Sequence, residues 1–315
     1  MTAAATTFVA LIGPGQVGQA FLRQLATHSA SARAATYPVA LAAVANSRRM
    51  LLGAGPAKPL PFAGWEAALA TASAAEAAGH FSSNADLGTF ASFLAEKFPR
   101  GRVVIVDCSA SDAIAARYPE WLQLRHSIVT PNKRAFSGDP ALYKRILDAA
   151  ADAGKTELAL RGPFVYHEST VGAGLPVLST LNDLVRTGDK LQRVEGILSG
   201  TLSYLFNSFS AATASASGEA APKFSQIVKV AKDLGYTEPD PRDDLNGVDF
   251  ARKVVILARL AGLHDVSLDT LHIENIVPEQ LRGLASADEF MARLPEYDDH
   301  FDTLNKQALA EQSKE

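Results

Sequence analysis

FVALIGPGQVGQAFLRQLATHS, residues 8–29, is the stretch whose reading decides the fold. Phe8 to Ile12 form a short apolar run that ends on glycine, and from about Val17 the apolar residues recur at helical spacing. Between the two lies G-x-G-x-x-G, at Gly13, Gly15 and Gly18. The first glycine permits a tight turn, the second a close backbone approach to a pyrophosphate, and the third packing of helix against strand, with the phosphate on the helix N-terminus. Gln16 and Val17, at the head of that helix, join the three glycines as cofactor-binding candidates. Strand before and helix after supply the context that lifts the motif above a merely structural glycine turn.

A second strand, about residues 39–45, closes the βαβ unit. An NAD site commonly places an acid at its end for the ribose 2′-hydroxyl. Asn46, Ser47, Arg48 and Arg49 stand there instead. Arg48 and Arg49 are therefore candidates for a 2′-phosphate, Asn46 is a further cofactor-binding candidate, and NADP(H) is the preferred cofactor with NAD(H) possible; the competing reading makes both arginines solvated loop charges. VVIVDCSASDA, residues 103–113, reads as a buried strand ending in a small polar loop, which puts Cys108 and Ser109 at the ligand end of the sheet. Cys108 has no base in an identifiable partner motif, so a nucleophilic role finds no support. SIVTPNKRAFSG, residues 127–138, is another strand end with Lys133 just beyond it, and the alanine-rich residues 63–79 read as one helical segment. The fold class is thus α/β, a Rossmann-type doubly wound parallel sheet over residues 1–162, followed by an α+β domain over residues 163–315.

In that second part, Glu168 precedes a V-G-A-G-L-P loop. Backbone carbonyls of such a loop with one carboxylate suit a hard cation; equally, its glycines allow a tight crossover. Ser199, Gly200 and Thr201 read as a strand-to-helix turn whose hydroxyls and amides suit a carboxylate. Residues 210–222 form a small-residue loop, an amphipathic helix follows, and Ser286 with Glu289 marks a capping box. TEPDPRDDLNGVDFARK, residues 237–253, gathers five carboxylates and three cations before an apolar helix. Pro239 and Pro241 hold the preceding residues out of helix. Asp249 and Lys253, four apart, face one another. A lysine among carboxylates at the rim of an apolar helix is a proton-transfer candidate; the alternative is an ordinary acidic helix start and a snorkelling lysine.

The chain has 315 residues, room for about two domains, with 47% hydrophobic and 20% charged residues. Thirty basic against 34 acidic residues leave a formal charge of -4, which recruits neither nucleic acid nor membrane. One cysteine forms no internal disulfide and points to a reducing, cytoplasmic setting. The seven histidines show no H-x-x-x-H or Cys/His pattern, so no catalytic transition-metal site is expected.

Taken together, IGPGQVGQAF, VDCSASDA, TPNKRAFSG, ESTVGAGLPV, GILSGTLSYLFN and GYTEPDPRDDLNGVDFARK resemble the homoserine dehydrogenase family, and its fungal short form most closely. The resemblance implies reversible NAD(P)-dependent interconversion of L-homoserine and L-aspartate 4-semialdehyde, on the way to threonine and methionine. It makes Ser109 a cofactor-contacting hydroxyl and Lys133 a lysine near nicotinamide and substrate. It implies a sodium ion held at Glu168 by the backbone of Val171, Ala173 and Leu175, and a substrate pocket of Gly200, Thr201, Gly235, Tyr236, Glu238, Asp244 and Asp249. Lys253 corresponds to the proton donor and acceptor, and the family pairs as homodimers. Where this chain stops at Glu315, the family continues with strands and a helix that complete the dimer and cover the cofactor. The Rossmann half is therefore expected to lack its closing element, which brings in the alternative of a catalytically impaired dinucleotide- or amino-acid-binding protein of the same descent. A third reading, a semialdehyde dehydrogenase acting through a thiohemiacetal, would need Cys108 as nucleophile.

Overall fold

The computed structural model describes residues 5–154, 162–210 and 222–312, so the small-residue loop expected at 210–222 lies almost wholly outside the described residues. The chain divides into two compact units, Met1–Asp183 and Leu184–Glu315.

Seven strands form one sheet in the first unit: β1 (Thr7–Ile12), β2 (Val39–Ala45), β3 (Arg49–Leu52), β4 (Phe81–Asn84), β5 (Val103–Asp107), β6 (Ser127–Val129) and β7 (Val165–Tyr166). Their order is β4-β3-β2-β1-β5-β6-β7. β1 pairs in parallel with β2 on one side and β5 on the other, and β6 and β7 continue in parallel. The chain thus leaves β1 through the Gln16–Ser29 helix to β2 and later returns on the far side of β1, which puts the switch point between β1 and β5. Phe8 to Ile12 are buried throughout, as befits a central parallel strand covered on both faces. The sheet reaches past residue 162, because β7 adds to β6 through Ile128–Val165 and Val129–Tyr166.

Two local features depart from the sequence reading. The segment at 63–79 is two helices, Trp65–Ala70 and Ala72–Ala77, because Thr71 is extended (φ -139°, ψ 145°) and its hydroxyl accepts the Ala74 amide, a cap in place of a helix interior. After β2 the chain also reverses at once into antiparallel β3: Asn46 Oδ1 accepts the amides of Arg48 and Arg49, each at 2.8 Å, and closes the turn.

The second unit contains the helices Gly200–Phe209, Phe224–Asp233, Val248–Leu260, Ala287–Arg293 and Asp298–Gln312. They enclose a core that includes Leu205, Phe224, Val228, Leu245, Leu281 and Phe290, and the rings of Phe224 and Phe301 stack 4.0 Å apart. The strand expected to lead into Gly200 is not formed: residues 189–199 are irregular, with no ladder partner among the described residues. Apolar side chains there read as a strand, yet a strand exists only where a second backbone accepts its hydrogen bonds. Ser286 caps its helix by accepting the Glu289 amide at 3.1 Å, whereas the Glu289 carboxylate accepts from Ala285, one residue before the reciprocal capping-box position.

Candidate active site

At the switch point the three glycines have separate tasks. Gly13 is left-handed (φ +82°), and a Cβ there would lie 3.0 Å from the Cys108 carbonyl carbon and the Ser109 nitrogen, so only glycine brings the end of β1 this close to the end of β5. A Cβ on Gly18 would stand 2.5 Å from the Gly13 oxygen; this is the helix-to-strand contact. Gly15 has nothing within 4 Å of the same position, and it caps the Gln16–Ser29 helix without any side-chain bond. Space above a helix N-terminus, with Gln16 and Val17 exposed beside it, is what a pyrophosphate requires.

The basic pair after β2 separates into two roles. Arg49 turns inward, donating from Nε to the Leu69 carbonyl at 2.9 Å and from Nη2 to Ser82 Oγ at 3.0 Å. Arg48 is exposed at the strand end. Asn46 uses its side-chain oxygen in the turn itself, so of the three candidates Arg48 is the exposed cation.

Beyond β5 and β6 lies a buried polar network that the sequence reading passed over. Asp107 and Tyr118 are fully buried and Asn132 nearly so. The Asp107 carboxylate accepts the Ser109 amide at 2.8 Å, the Tyr118 hydroxyl at 2.5 Å and the Asn132 side-chain amide at 3.0 Å. Thr130 donates its hydroxyl to the Asp107 carbonyl at 2.7 Å. Burial, with the charge of Asp107 beside it, holds the Tyr118 phenol well above its ordinary range, so it remains a donor. Ser109 and Lys133 flank this network, and Lys133 precedes the short Arg134–Ser137 helix. The legible signal was an aspartate closing an otherwise apolar strand. Burial and then Asp107 also push the Cys108 thiol up to about 11, which keeps it protonated and unsuited to attack.

The Glu168 carboxylate accepts the amides of Leu178 (2.8 Å) and Ser179 (2.9 Å), capping the Val177–Arg186 helix. Between them, Gly172 (φ +79°) and Ala173 (φ +52°) are both left-handed, a rare conformation for alanine. Among the described residues no group of three or more His, Cys, Asp or Glu could hold a metal, so a cation at this loop would rest on backbone carbonyls. The hard oxygen donors of residues 168, 171, 173 and 175 fit such an ion in kind. His167, just before the loop, stacks on Phe136 at 3.8 Å, and burial lowers its pKa to about 4.

In the second unit the acidic stretch folds into one cluster. Gly247 (φ +74°) starts the Val248–Leu260 helix. On its first turns Lys253 Nζ lies 2.7 Å from Asp249 Oδ2 and donates to the Leu198 carbonyl at 2.6 Å, with its side chain only 14% exposed. Leu198 precedes Ser199, whose hydroxyl accepts the Leu202 amide and opens the Gly200–Phe209 helix. Thr201 Oγ1 lies 2.7 Å from the Tyr236 carbonyl and also bonds Asp244, serving one acceptor at a time. Asp244 in turn accepts the Glu238 amide at 2.8 Å. Gly235 (φ +73°) turns the chain into this loop, and the Tyr204 and Tyr236 rings meet edge to face at 5.1 Å. Burial raises the Asp244 carboxyl above its ordinary range; the hydrogen bonds from Glu238 and Thr201 oppose this, and the charges of Asp249 and Asp243 add to it. All eight residues read from the sequence in this unit are thus linked by short contacts or adjacency. A buried carboxyl raised further by neighbouring negative charge gains from a cation brought beside it. Asp240 stands apart, bonded to Arg242, which donates to the Leu284 carbonyl at 2.7 Å.

Known proteins resemble the chain along most of its length. Residues 13–158 match the family model "Homoserine dehydrogenase, NAD binding domain", and residues 176–314 match "Homoserine dehydrogenase". Curated homoserine dehydrogenases from Paracoccidioides brasiliensis and Saccharomyces cerevisiae are 48% and 40% identical to it, over 97% and 96% of this chain and 77% and 76% of theirs. A solved Candida auris protein of unknown function is 40% identical with a TM-score of 0.78, covering 98% of this chain and 78% of that one. A hyperthermophilic archaeal homoserine dehydrogenase in complex with NADPH shares the fold at 20% identity and a TM-score of 0.60, over 82% of this chain and 70% of that one.

Proposed function

The chain belongs to the homoserine dehydrogenase family, and from that premise we propose that it interconverts L-homoserine and L-aspartate 4-semialdehyde with NADP(H). The observation that carries the proposal is Lys253, held by Asp249 and the Leu198 carbonyl, with the charge of Asp249 also acting on Asp244. Homoserine is a zwitterion. Its ammonium is matched by Glu238, Asp244 and Asp249, and its carboxylate by the amides of Gly200 and Thr201 at a helix N-terminus. Lys253 Nζ, as the neutral amine, takes the hydroxyl proton when the alcohol is oxidised, and as the ammonium returns it when the aldehyde is reduced. The nicotinamide cofactor, when bound, accepts or supplies the hydride.

The cradle for that cofactor is Gly13, Gly15 and Gly18 with the amides of Gln16 and Val17, and Ser109 and Lys133 face its nicotinamide end. Arg48 favours the 2′-phosphate and hence NADP(H) over NAD(H). Sodium at the carbonyls of Glu168, Val171, Ala173 and Leu175 is supported by the two left-handed residues of that loop; a lower melting temperature in choline chloride than in sodium chloride at equal ionic strength is the expected sign, and equal melting rejects it. A homodimer and a cytosolic location follow from the family resemblance. The lone cysteine fits a reducing compartment, and no helix of the described residues is long and apolar enough to cross a membrane. The proposal is tested by supplying homoserine and NADP to the purified chain: homoserine-dependent NADPH formation is expected, and cofactor binding without turnover would overturn it.

A further inference from the structure

We propose that Asp107 is a positioning residue that locks the loop carrying Ser109 and the turn carrying Lys133 into one platform at the nicotinamide end of the cofactor site. This rests on the reading of Ser109 and Lys133 as cofactor contacts, and it goes beyond that reading by assigning what aligns them. A carboxylate with no exposed surface is costly to bury, so its position calls for a reason. The reason is connectivity. One oxygen accepts the Ser109 amide and the other accepts both Tyr118 Oη and Asn132 Nδ2, while the Asp107 carbonyl accepts Thr130 Oγ1. Asn132 then passes the constraint on: its side-chain oxygen accepts the Arg134 amide at 3.0 Å, and its Nδ2 also donates to the Ser111 carbonyl at 3.0 Å. Lys133 is the residue between the two ends of that clamp.

The chemistry needs a carboxylate here, which makes the inference testable with a near-isosteric change. In Asp107→Asn one acceptor oxygen is retained for the Ser109 amide, but an NH2 then faces the Tyr118 hydroxyl and the Asn132 amide. Tyr118 can adapt by turning its proton towards Thr130 Oγ1, 3.1 Å away. Asn132 cannot: flipping its amide would bring NH2 against the Arg134 amide and lose the bond to Ser111. The disturbance is therefore directed at the turn bearing Lys133, and the glycine cradle and Arg48 make no hydrogen bond to Asp107.

The experiment compares the wild-type full chain with Asp107→Asn and Tyr118→Phe. It measures kcat, the Kd of NADPH, the Kd of adenosine 2′,5′-bisphosphate as the half-cofactor lacking nicotinamide, and thermal melting. A misaligned reacting group costs about ten- to a hundred-fold in rate, and that fall in kcat is expected for Asp107→Asn. NADPH binding should weaken while the half-cofactor binds within about two-fold of wild type, because its contacts are untouched. Tyr118→Phe, which removes one donor and leaves the carboxylate, should show the same split at smaller amplitude; it carries the test if Asp107→Asn does not fold. Unchanged kcat in a folded variant, or equal losses for NADPH and the half-cofactor, would overturn the assignment. Ser109→Ala and Lys133→Ala serve as the reference arm. If neither affects kcat or NADPH binding, the underlying reading of the nicotinamide end fails; if they do and Asp107→Asn does not, only the positioning role fails.

Discussion

Gly15→Ala and Gly18→Ala differ by one methyl group each, three residues apart, and the structure gives them opposite outcomes. At Gly18 a methyl gains helix propensity, about 1 kcal/mol relative to glycine. It also meets the Gly13 oxygen at 2.5 Å and Leu11 Cδ2 at 3.3 Å. That oxygen cannot retreat freely, since Gly13 is held by its own amide bond to the Ala45 carbonyl at 2.9 Å. Overpacking against fixed atoms costs about 1–3 kcal/mol, so a net loss of up to about 2 kcal/mol is expected. At Gly15 the backbone is extended (φ -77°, ψ -159°) and the methyl meets no protein atom within 4 Å. Restricting the unfolded chain stabilises by about 0.4–1 kcal/mol, and alanine at a helix N-cap gives back a similar amount, so stability should change by less than about 0.5 kcal/mol. NADPH affinity should nevertheless fall at least about tenfold, or 1.4 kcal/mol, because the methyl occupies the space left for the pyrophosphate. Urea denaturation and NADPH fluorescence titration of both variants read the two quantities separately. A Gly15→Ala chain that binds NADPH as wild type, or a Gly18→Ala chain that is more stable than wild type, would refute the reasoning.

Arg48→Ala should weaken NADPH binding about tenfold and leave NADH binding unchanged, whereas Arg49→Ala should lose about 1 kcal/mol of stability through its bonds to Leu69 and Ser82; unchanged discrimination in Arg48→Ala, measured by competitive titration, removes it from the cofactor site. His167 introduces an acid sensitivity: its folded pKa is lowered to about 4 from 6.5, so the unfolded chain binds the proton first as pH falls. Stability from this group is complete above the unfolded value and lost as pH drops towards the folded one, about 2 kcal/mol by pH 5. His167→Phe, which preserves the stack on Phe136, should flatten the melting-temperature profile between pH 7 and pH 5, and an unchanged slope would show that another group is responsible.

Much of this was legible in the sequence because the relevant signals are local. A glycine pattern between an apolar strand and a periodic helix needs no distant partner, and Asp249 with Lys253 is an i, i+4 pair whose geometry the helix itself dictates. The features that escaped depend on residues far apart in the chain. Arg49 reads as half of a basic pair until β4 brings Ser82 to its guanidinium. Asp107 stands out only as an aspartate closing an apolar strand, and with Tyr118 and Asn132 it becomes a network only when β5 and β6 pair. Glu168 resembles a cation ligand by composition, and only the fold shows that its carboxylate also caps a helix. The strand anticipated before Gly200 failed for the converse reason: β-like composition is not enough when no neighbouring backbone completes the ladder.

The central claim is that Lys253 moves the substrate proton. Initial rates of homoserine-dependent NADP reduction, measured on wild type and Lys253→Ala beside an NADPH titration of each, test it most directly. Removing a positioned acid–base group should lower the rate by about a hundred-fold or more, with NADPH affinity unchanged, since the cofactor cradle is built from other residues. Turnover retained in Lys253→Ala at a rate near that of wild type would contradict the account.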